Sequence, residues 1–258
     1  MTMKHTLRSF STTLCDAMGI NPPELATQPG YLDLDRRAGK IKKALIYCPD
    51  AFGYHALKKF PQLHSEIAHS STHEIELQSI FPSVTPVCFA SLFTGGTPQE
   101  HGIVKYDKPI LTCDTVFDAL IRAGKKVAII AVKNSSIDIL FKNREIDYFS
   151  MDYDPLVSVK ALELLQNNVH DVIVVYHQEY DDLLHDSGLF SELAERALEH
   201  HAESWEMLVR KAKKAWTEDF LVAFTPDHGG HIDPATGMGD HGNDSPEDME
   251  LRHFFYLN

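Results

Sequence analysis

The sequence predicts an α/β fold, a three-layer αβα sandwich with a mostly parallel central sheet. Two observations predict it. Short apolar, β-branched runs recur along the chain with helical patterns between them, and strand-helix alternation of this kind makes a parallel sheet covered by helices. Several runs are apolar at nearly every position, as strands buried on both faces must be.

Residues 1–40 form an N-terminal extension: a short helix ending at Gly19, then NPPELATQPG, whose prolines and glycine prevent regular structure. From residue 41 to 258 the rhythm is that of one α/β domain, with no internal repeat, low-complexity tract or dividing linker. KALIYC (43–48) starts it, and the polar mixture at 55–70 predicts a surface helix interrupted at Pro61. Strands follow at 74–80, 126–132, 145–151, 171–177, 219–225 and 251–257, and helices at 115–124, 155–168 and 191–216. Thr85-Pro86 predicts a helix N-cap followed by proline, and VCFASLF continues as a buried helix.

With 258 residues, 43% hydrophobic and 24% charged, the chain buries a core without disulfide staples. Its 37 acidic residues against 24 Lys and Arg leave a formal charge of -13, with no basic stretch. Binding to a nucleic-acid duplex is therefore not expected, because neutralising phosphates needs a basic footprint. No export signal or membrane-spanning run is visible, and four widely spaced cysteines suit a reducing cytoplasm. The 15 histidines, among so many acids, point to metal.

Open α/β sheets bind ligands beyond the carboxyl ends of their strands. Three of the most apolar strands run into acids there: Asp50, then Asp181 and Asp182, then Asp227 beside His228. Each alone is also a common turn former or helix cap, but clustered carboxylates repel unless a cation sits among them. His185 lies four residues after Asp181, and His241 thirteen after His228. Carboxylate and imidazole at such spacing suit Zn or Mn; an i, i+4 surface pair and a glycine-rich loop are the plainer alternatives. The Thr85 hydroxyl would lie at the positive end of a helix dipole, where an alkoxide and a phosphoryl group are both favoured.

These residues resemble the alkaline phosphatase superfamily, most closely its nucleotide pyrophosphatase and phosphodiesterase branch. The motifs carrying the resemblance are Asp50 after a strand, PSVT (82–85), LFTG (92–95), PQEHGI (98–103), EYDDLLHDSG (179–188), DHG (227–229) and DHGND (240–244). Their order agrees over roughly residues 43–257, and the set is specific where each motif alone is weak. The resemblance implies an alkaline-phosphatase-like catalytic domain at 41–258. It also implies two divalent ions, zinc ahead of manganese: one on Asp181, His185 and His241, the other on Asp50, Asp227, His228 and the Thr85 oxygen. Thr85 would be the nucleophile, attacking a small phosphate-ester substrate to form a phosphothreonine that water then releases. Three carboxylates against two divalent ions leave that site locally positive in an acidic chain. His101 is expected to hold the loop after the helix.

The sequence departs from the family in two places. Tyr106 stands where diesterases carry an Asn that binds phosphoryl oxygens, and as a phenol it can still donate one hydrogen bond. Only 12 residues separate His228 from His241, so the substrate-selecting insertions of larger relatives, and the cap domain of mutase relatives, have no room. The expectation is a phosphodiesterase or nucleotide pyrophosphatase acting in the cytoplasm. The lean to diesters rests on the Thr nucleophile and on the absence of arginine from its segment. A phosphomonoesterase and a phosphonate hydrolase of the phosphonoacetate kind are the alternatives, with a non-catalytic metal-binding protein, suggested by Tyr106, a further one.

Overall fold

All seven expected strands form one sheet in the computed structural model, which describes residues 5–31 and 38–258. Helix α1 (Ser9–Met18) ends at Gly19 in the left-handed conformation and is followed by β1 (Lys43–Pro49), every residue of which is buried. The interrupted surface helix is two helices, α2 (Tyr54–Lys59) and α3 (Pro61–His69), with Pro61 opening the second. Next come β2 (His73–Gln78), α4 (Thr85–Thr94), α5 (Pro98–His101) and α6 (Val116–Arg122). Strands β3 (Val127–Val132) and β4 (Asp147–Met151) flank the short α7 (Ser136–Leu140). Helix α8 (Asp154–Asn167) leads to β5 (Val172–His177), and α9 (Glu179–Ser187) and α10 (Glu192–Ala215) lead to β6 (Phe220–Phe224). A two-strand hairpin, β7 (His231–Ile232) and β8 (Gly239–Asp240), precedes α11 (Pro246–Met249) and β9 (Glu250–Leu257).

The strand order is β2-β9-β6-β1-β5-β3-β4. Five neighbours from β6 to β4 pair in parallel, and β9 runs antiparallel between β6 and β2. Alternation along β1 splits the core: Ala44, Ile46 and Cys48 face the layer holding α1, α4, α6 and α7, and Leu45 and Tyr47 face the layer of α3, α8 and α10. Helix α4 is buried at all ten positions, as a helix apolar all round must be. Burying each of its large side chains, such as Phe89 and Phe93, contributes roughly 1.5–3 kcal/mol.

Residues 1–4 and 32–37 of the N-terminal extension lie outside the described residues. Within it, α1 packs on α4, where Ser11 Oγ donates to the Leu92 carbonyl at 2.7 Å, and Leu7, Phe10 and Leu14 enter the core. Its start reaches the sheet edge, where Thr6 bridges in parallel to Gln78 of β2.

Candidate active site

β1 lies between β5 and β6, all three parallel, so their carboxyl ends deliver the segments that follow to one place. Asp50 comes directly after β1, Asp227 three residues after β6, and Asp181 in the first turn of α9. Between Asp50 and Phe52 the backbone is strained: Ala51 has φ 58°, which costs an alanine roughly 1–2 kcal/mol. That turn aims the Ala51 N–H at Asp227 Oδ1, 3.3 Å away. Gly53 and Gly229 then let the two loops touch. A Cβ on Gly53 would lie 2.4 Å from Gly229 Cα, and one on Gly229 would lie 2.1 Å from the Glu247 carbonyl oxygen. These glycines therefore serve backbone-to-backbone packing, a tighter constraint than loop flexibility.

Thr85 differs from the sequence expectation. Val84 is the N-cap and Thr85 the first helical residue of α4, with no side-chain cap bond at this terminus. The extended backbone of Val84 starts the helix one residue sooner, which frees the hydroxyl from capping. Thr85 Oγ1 instead sits 3.4 Å from Asp50 Oδ1 and 3.3 Å from His228 Nε2, and the residue is 3% exposed.

Three histidines share one device. His228 Nδ1 donates to the Gly229 carbonyl at 2.9 Å, His241 Nδ1 to the Ser83 carbonyl at 3.0 Å, and His185 Nδ1 to the Gly239 carbonyl at 3.1 Å. Tying Nδ1–H to a carbonyl fixes the tautomer and presents the Nε2 lone pair. His228 Nε2 faces Asp50 Oδ1 at 3.3 Å and Asp227 Oδ2 at 3.4 Å. His241 and His185 present theirs to Asp181 Oδ1 at 3.4 and 3.7 Å. Asp181 Oδ1 and Asp227 Oδ2 are buried without a hydrogen-bond partner. Lone pairs converging on orphaned carboxylate oxygens need a cation or an added proton between them.

The electrostatics agree. Burial, then the charges of Asp227 and Asp181, push the Asp50 carboxyl well above its ordinary range. Burial and Asp181 raise Asp227 to about 7. His228 is pushed down to about 3 by burial and by His241. Burial acts on Asp181 and His241 in the opposite sense, but their mutual attraction outweighs it, lowering Asp181 and raising His241.

Among the described residues, Asp50, Asp227 and His228 bring one donor atom each within 4.8 Å of one another, and so do Asp181, His228 and His241. His228 therefore lies between the two groups, its ring stacked on His241 with centroids 4.1 Å apart. His185 stands outside the tighter groups, 39% exposed at its side chain. The imidazole and carboxylate donors and the orphaned oxygens fit divalent metal ions. His101 is bound elsewhere, its Nε2 2.9 Å from Ser91 Oγ of α4. His231 of the DHGGH loop is spent on Asp248 at 2.7 Å.

A cavity of about 300 Å³ opens over Thr85, Asp50 and Asp181. Tyr106 lines it but is 60% exposed, and burial followed by the nearby carboxylates raises its phenol. The sequence reading missed Lys108, Lys133, Asn134 and Tyr176 in the same wall. Lys133 and Asn134 follow β3 directly, so the strand-end rule that found the aspartates could have found them. Tyr176 is the inward neighbour of His177 on β5, and its hydroxyl donates to Asp50 Oδ2.

The type I phosphodiesterase / nucleotide pyrophosphatase family matches residues 46–233. That span holds every residue named above for metal or nucleophile except His241. No curated protein matches the sequence. Among solved structures, murine ectonucleotide pyrophosphatase / phosphodiesterase 5, an inactive variant in complex with AMP, aligns at TM-score 0.58 and 19% identity over 74% of this chain and 58% of that one. The human counterpart aligns at 0.57 and 20%, over 74% and 57%. Phosphonoacetate hydrolase from Sinorhizobium meliloti 1021 in complex with phosphonoformate aligns at 0.55 and 16%, over 75% and 57%. The chain thus spans less than two thirds of each of these structures, and the likeness is one of fold: the mixed α/β, alkaline-phosphatase-like sandwich that the sequence predicts.

Proposed function

Because the chain belongs to the type I phosphodiesterase / nucleotide pyrophosphatase family, within the alkaline phosphatase superfamily, we propose that it is a metal-dependent phosphodiesterase whose nucleophile is Thr85. The observation that carries this reading is the Thr85 hydroxyl, buried at a helix N-terminus and set between Asp50 and His228 instead of capping its own helix. Two divalent ions, zinc or manganese, would supply positive charge that acidifies this hydroxyl and neutralises phosphoryl oxygens. Asp50, Asp227, His228 and Thr85 would hold one, and Asp181, His185 and His241 the other.

The residues of the chain supply the rest. Asp50 Oδ1 and His228 Nε2 orient Thr85 Oγ1, and the α4 dipole favours negative charge at that atom. The oxygen attacks phosphorus, the phosphothreonine bond forms, and the ester bond to the leaving alcohol breaks. Water then cleaves the phosphothreonine, restoring the hydroxyl and releasing a phosphate monoester. Tyr106 donates from the cavity wall to a phosphoryl oxygen. Substrate enters through the open cavity as a small molecule, and we place the reaction in the cytoplasm, where four unpaired cysteines remain reduced. Among the described residues no helix is long and apolar enough to cross a membrane.

Lys108 and Lys133 favour a second reading, since two cations over the nucleophile suit a substrate with more charge than a diester: a phosphomonoester or a carboxylated phosphonate. Hydrolysis of bis-p-nitrophenyl phosphate, p-nitrophenyl phosphate and phosphonoacetate with Zn, Mn or Mg separates these cases. Diester turnover should lead; a strong preference for either rival overturns the diesterase reading. Thr85→Ala should lower turnover at least about a thousandfold while metal content persists, and unaltered turnover excludes the mechanism.

A further inference from the structure

On the opposite face of the sheet from α4 lies a second set of metal-ligating side chains, two of which, Asp154 and His177, line a larger cavity. Asp154 opens α8, His177 ends β5, and His201 lies on the buried stripe of α10 between Leu198 and Trp205. One donor atom from each lies within 4.8 Å of those of the other two. All three residues are buried, His201 completely. From the geometry of this cluster we propose that Asp154, His177 and His201 form a third divalent-ion site, of the zinc type, separate from the Thr85 centre.

The hydrogen bonds around the cluster leave donor capacity unspent. Tyr47 Oη lies 3.0 Å from His177 Nδ1 and 2.9 Å from His201 Nδ1, and its single proton can serve only one of them. The other imidazole must donate to the phenol oxygen. His177 Nε2 has Ser158 Oγ at 3.1 Å, but His201 Nε2 is buried without any partner. Whichever way the Tyr47 proton points, one His201 nitrogen is unsatisfied, and an ion drawing on this pair of imidazoles gives that histidine a reason to occupy an apolar stripe.

Charge favours the same conclusion. Asp154 Oδ1 and Oδ2 accept the backbone N–H groups of Gln178 and Glu179 at 3.1 and 2.9 Å, which leaves each oxygen a further lone pair. His177 Nδ1 is 3.9 Å from Asp154 Oδ2. Burial raises the Asp154 carboxyl to about 7 and pushes His177 down to about 3, so both imidazoles stay neutral ligands and the carboxylate lacks a compensating cation. Two imidazoles and one carboxylate is a zinc donor set with an open fourth position. The approach is suited to a cation: the cavity, about 470 Å³, is lined by Glu179, Glu203 and Glu206 with a single arginine, Arg210.

Zinc itself is the probe. Anomalous scattering from crystals of the wild-type chain equilibrated with zinc should show a peak bounded by Asp154, His177 and His201. Equilibrium dialysis should find one zinc fewer on Asp154→Asn and on His201→Gln, each checked by circular dichroism for a folded chain, while His241→Gln leaves this ion in place. A wild-type crystal without the peak overturns the proposal even if neither variant folds, and so does equal stoichiometry in folded variants. A peak here with none beside Thr85 would sink the proposed catalytic metals and leave this site standing.

Discussion

His228 Nε2 lies 3.3 Å from Asp50 Oδ1, and both side chains are sealed from solvent. Because His228 Nδ1–H is spent on the Gly229 carbonyl, the imidazole has no proton for the pair, which is left to a cation or to a proton held on Asp50. An ion there relieves the conflict, so chelation should lower the melting temperature. Restoring zinc to a hundredfold excess over its Kd should return about 2.7 kcal/mol per ion. Calorimetry with and without chelator reads this, and an unchanged transition contradicts metal binding at the pair.

Asp227→Asn should move stability in opposite directions with and without metal. In the stripped chain the change removes a buried carboxylate that Asp181 repels, and should stabilise by about 1 kcal/mol. With zinc present it should abolish most of the gain from the ion. Urea unfolding of both proteins, stripped and loaded, gives the four values; equal responses to zinc would remove Asp227 from the ligand set.

Gly229→Ala should cost about 3 kcal/mol or more, because the added Cβ meets a backbone carbonyl at 2.1 Å that no rotamer change can move. The displaced loop carries His228, so zinc affinity should fall with stability. A variant as stable as wild type would show that the loops can separate without cost.

Tyr106 and Lys133 should act differently on turnover. Tyr106→Phe should lower kcat less than tenfold, since a phenol this exposed contributes less than a buried oxyanion donor, worth about 10²–10³. Lys133→Met should raise KM for p-nitrophenyl phosphate by about tenfold or more while altering the diester far less, because the charge-assisted bond it removes matters most for a dianion. Equal losses on both substrates would assign Lys133 no part in discriminating them.

His253 should make the fold acid-sensitive. Its Nδ1 accepts from the Tyr31 hydroxyl at 2.7 Å, its Nε2–H donates to the Pro226 carbonyl at 2.9 Å, and burial holds it down to about 3. The unfolded chain takes up the proton below about 6.5, while the folded chain refuses it until about 3. This contribution is complete above pH 6.5 and lost as pH falls towards 3, at about 1.4 kcal/mol per pH unit. Proton NMR should find this imidazole neutral at pH 5; a His253 resonance titrating near 6.5 would refute the linkage.

Local pattern was sufficient for much of this protein. Continuous apolar runs specify strands buried on both faces, as β1, β3, β5 and β6 are, and all seven expected strands appear in the sheet within two residues of their expected bounds, β2 and β4 as more exposed edge strands. Asp50, Asp181 and Asp227 were legible because parallel strands place their carboxyl ends together, a rule that needs no coordinates. What the sequence could not determine depends on distances between residues far apart in the chain. Thr85 reads as a cap from its neighbours and as a nucleophile only through the family resemblance; its freedom from capping depends on a helix start one residue sooner, and its setting on Asp50 and His228, 35 residues before it and 143 after. Lys133 was passed over although it too follows a strand directly, because a lysine there reads as ordinary surface and only the sheet order, which puts β3 beside β5, sets it in the cavity wall.

By itself, then, the sequence determined the layers, the mostly parallel sheet and the chemistry gathered at one edge of it. Tertiary structure alone decided which imidazole nitrogens point inward, because backbone carbonyls of Ser83, Gly229 and Gly239 choose the tautomers. It alone brought Asp154, His177 and His201 together as well, since that cluster joins two helices and a strand end whose motifs give no sign of one another. The reason is physical: strand and helix periodicity are written in neighbouring residues, whereas a site is made where separate segments meet.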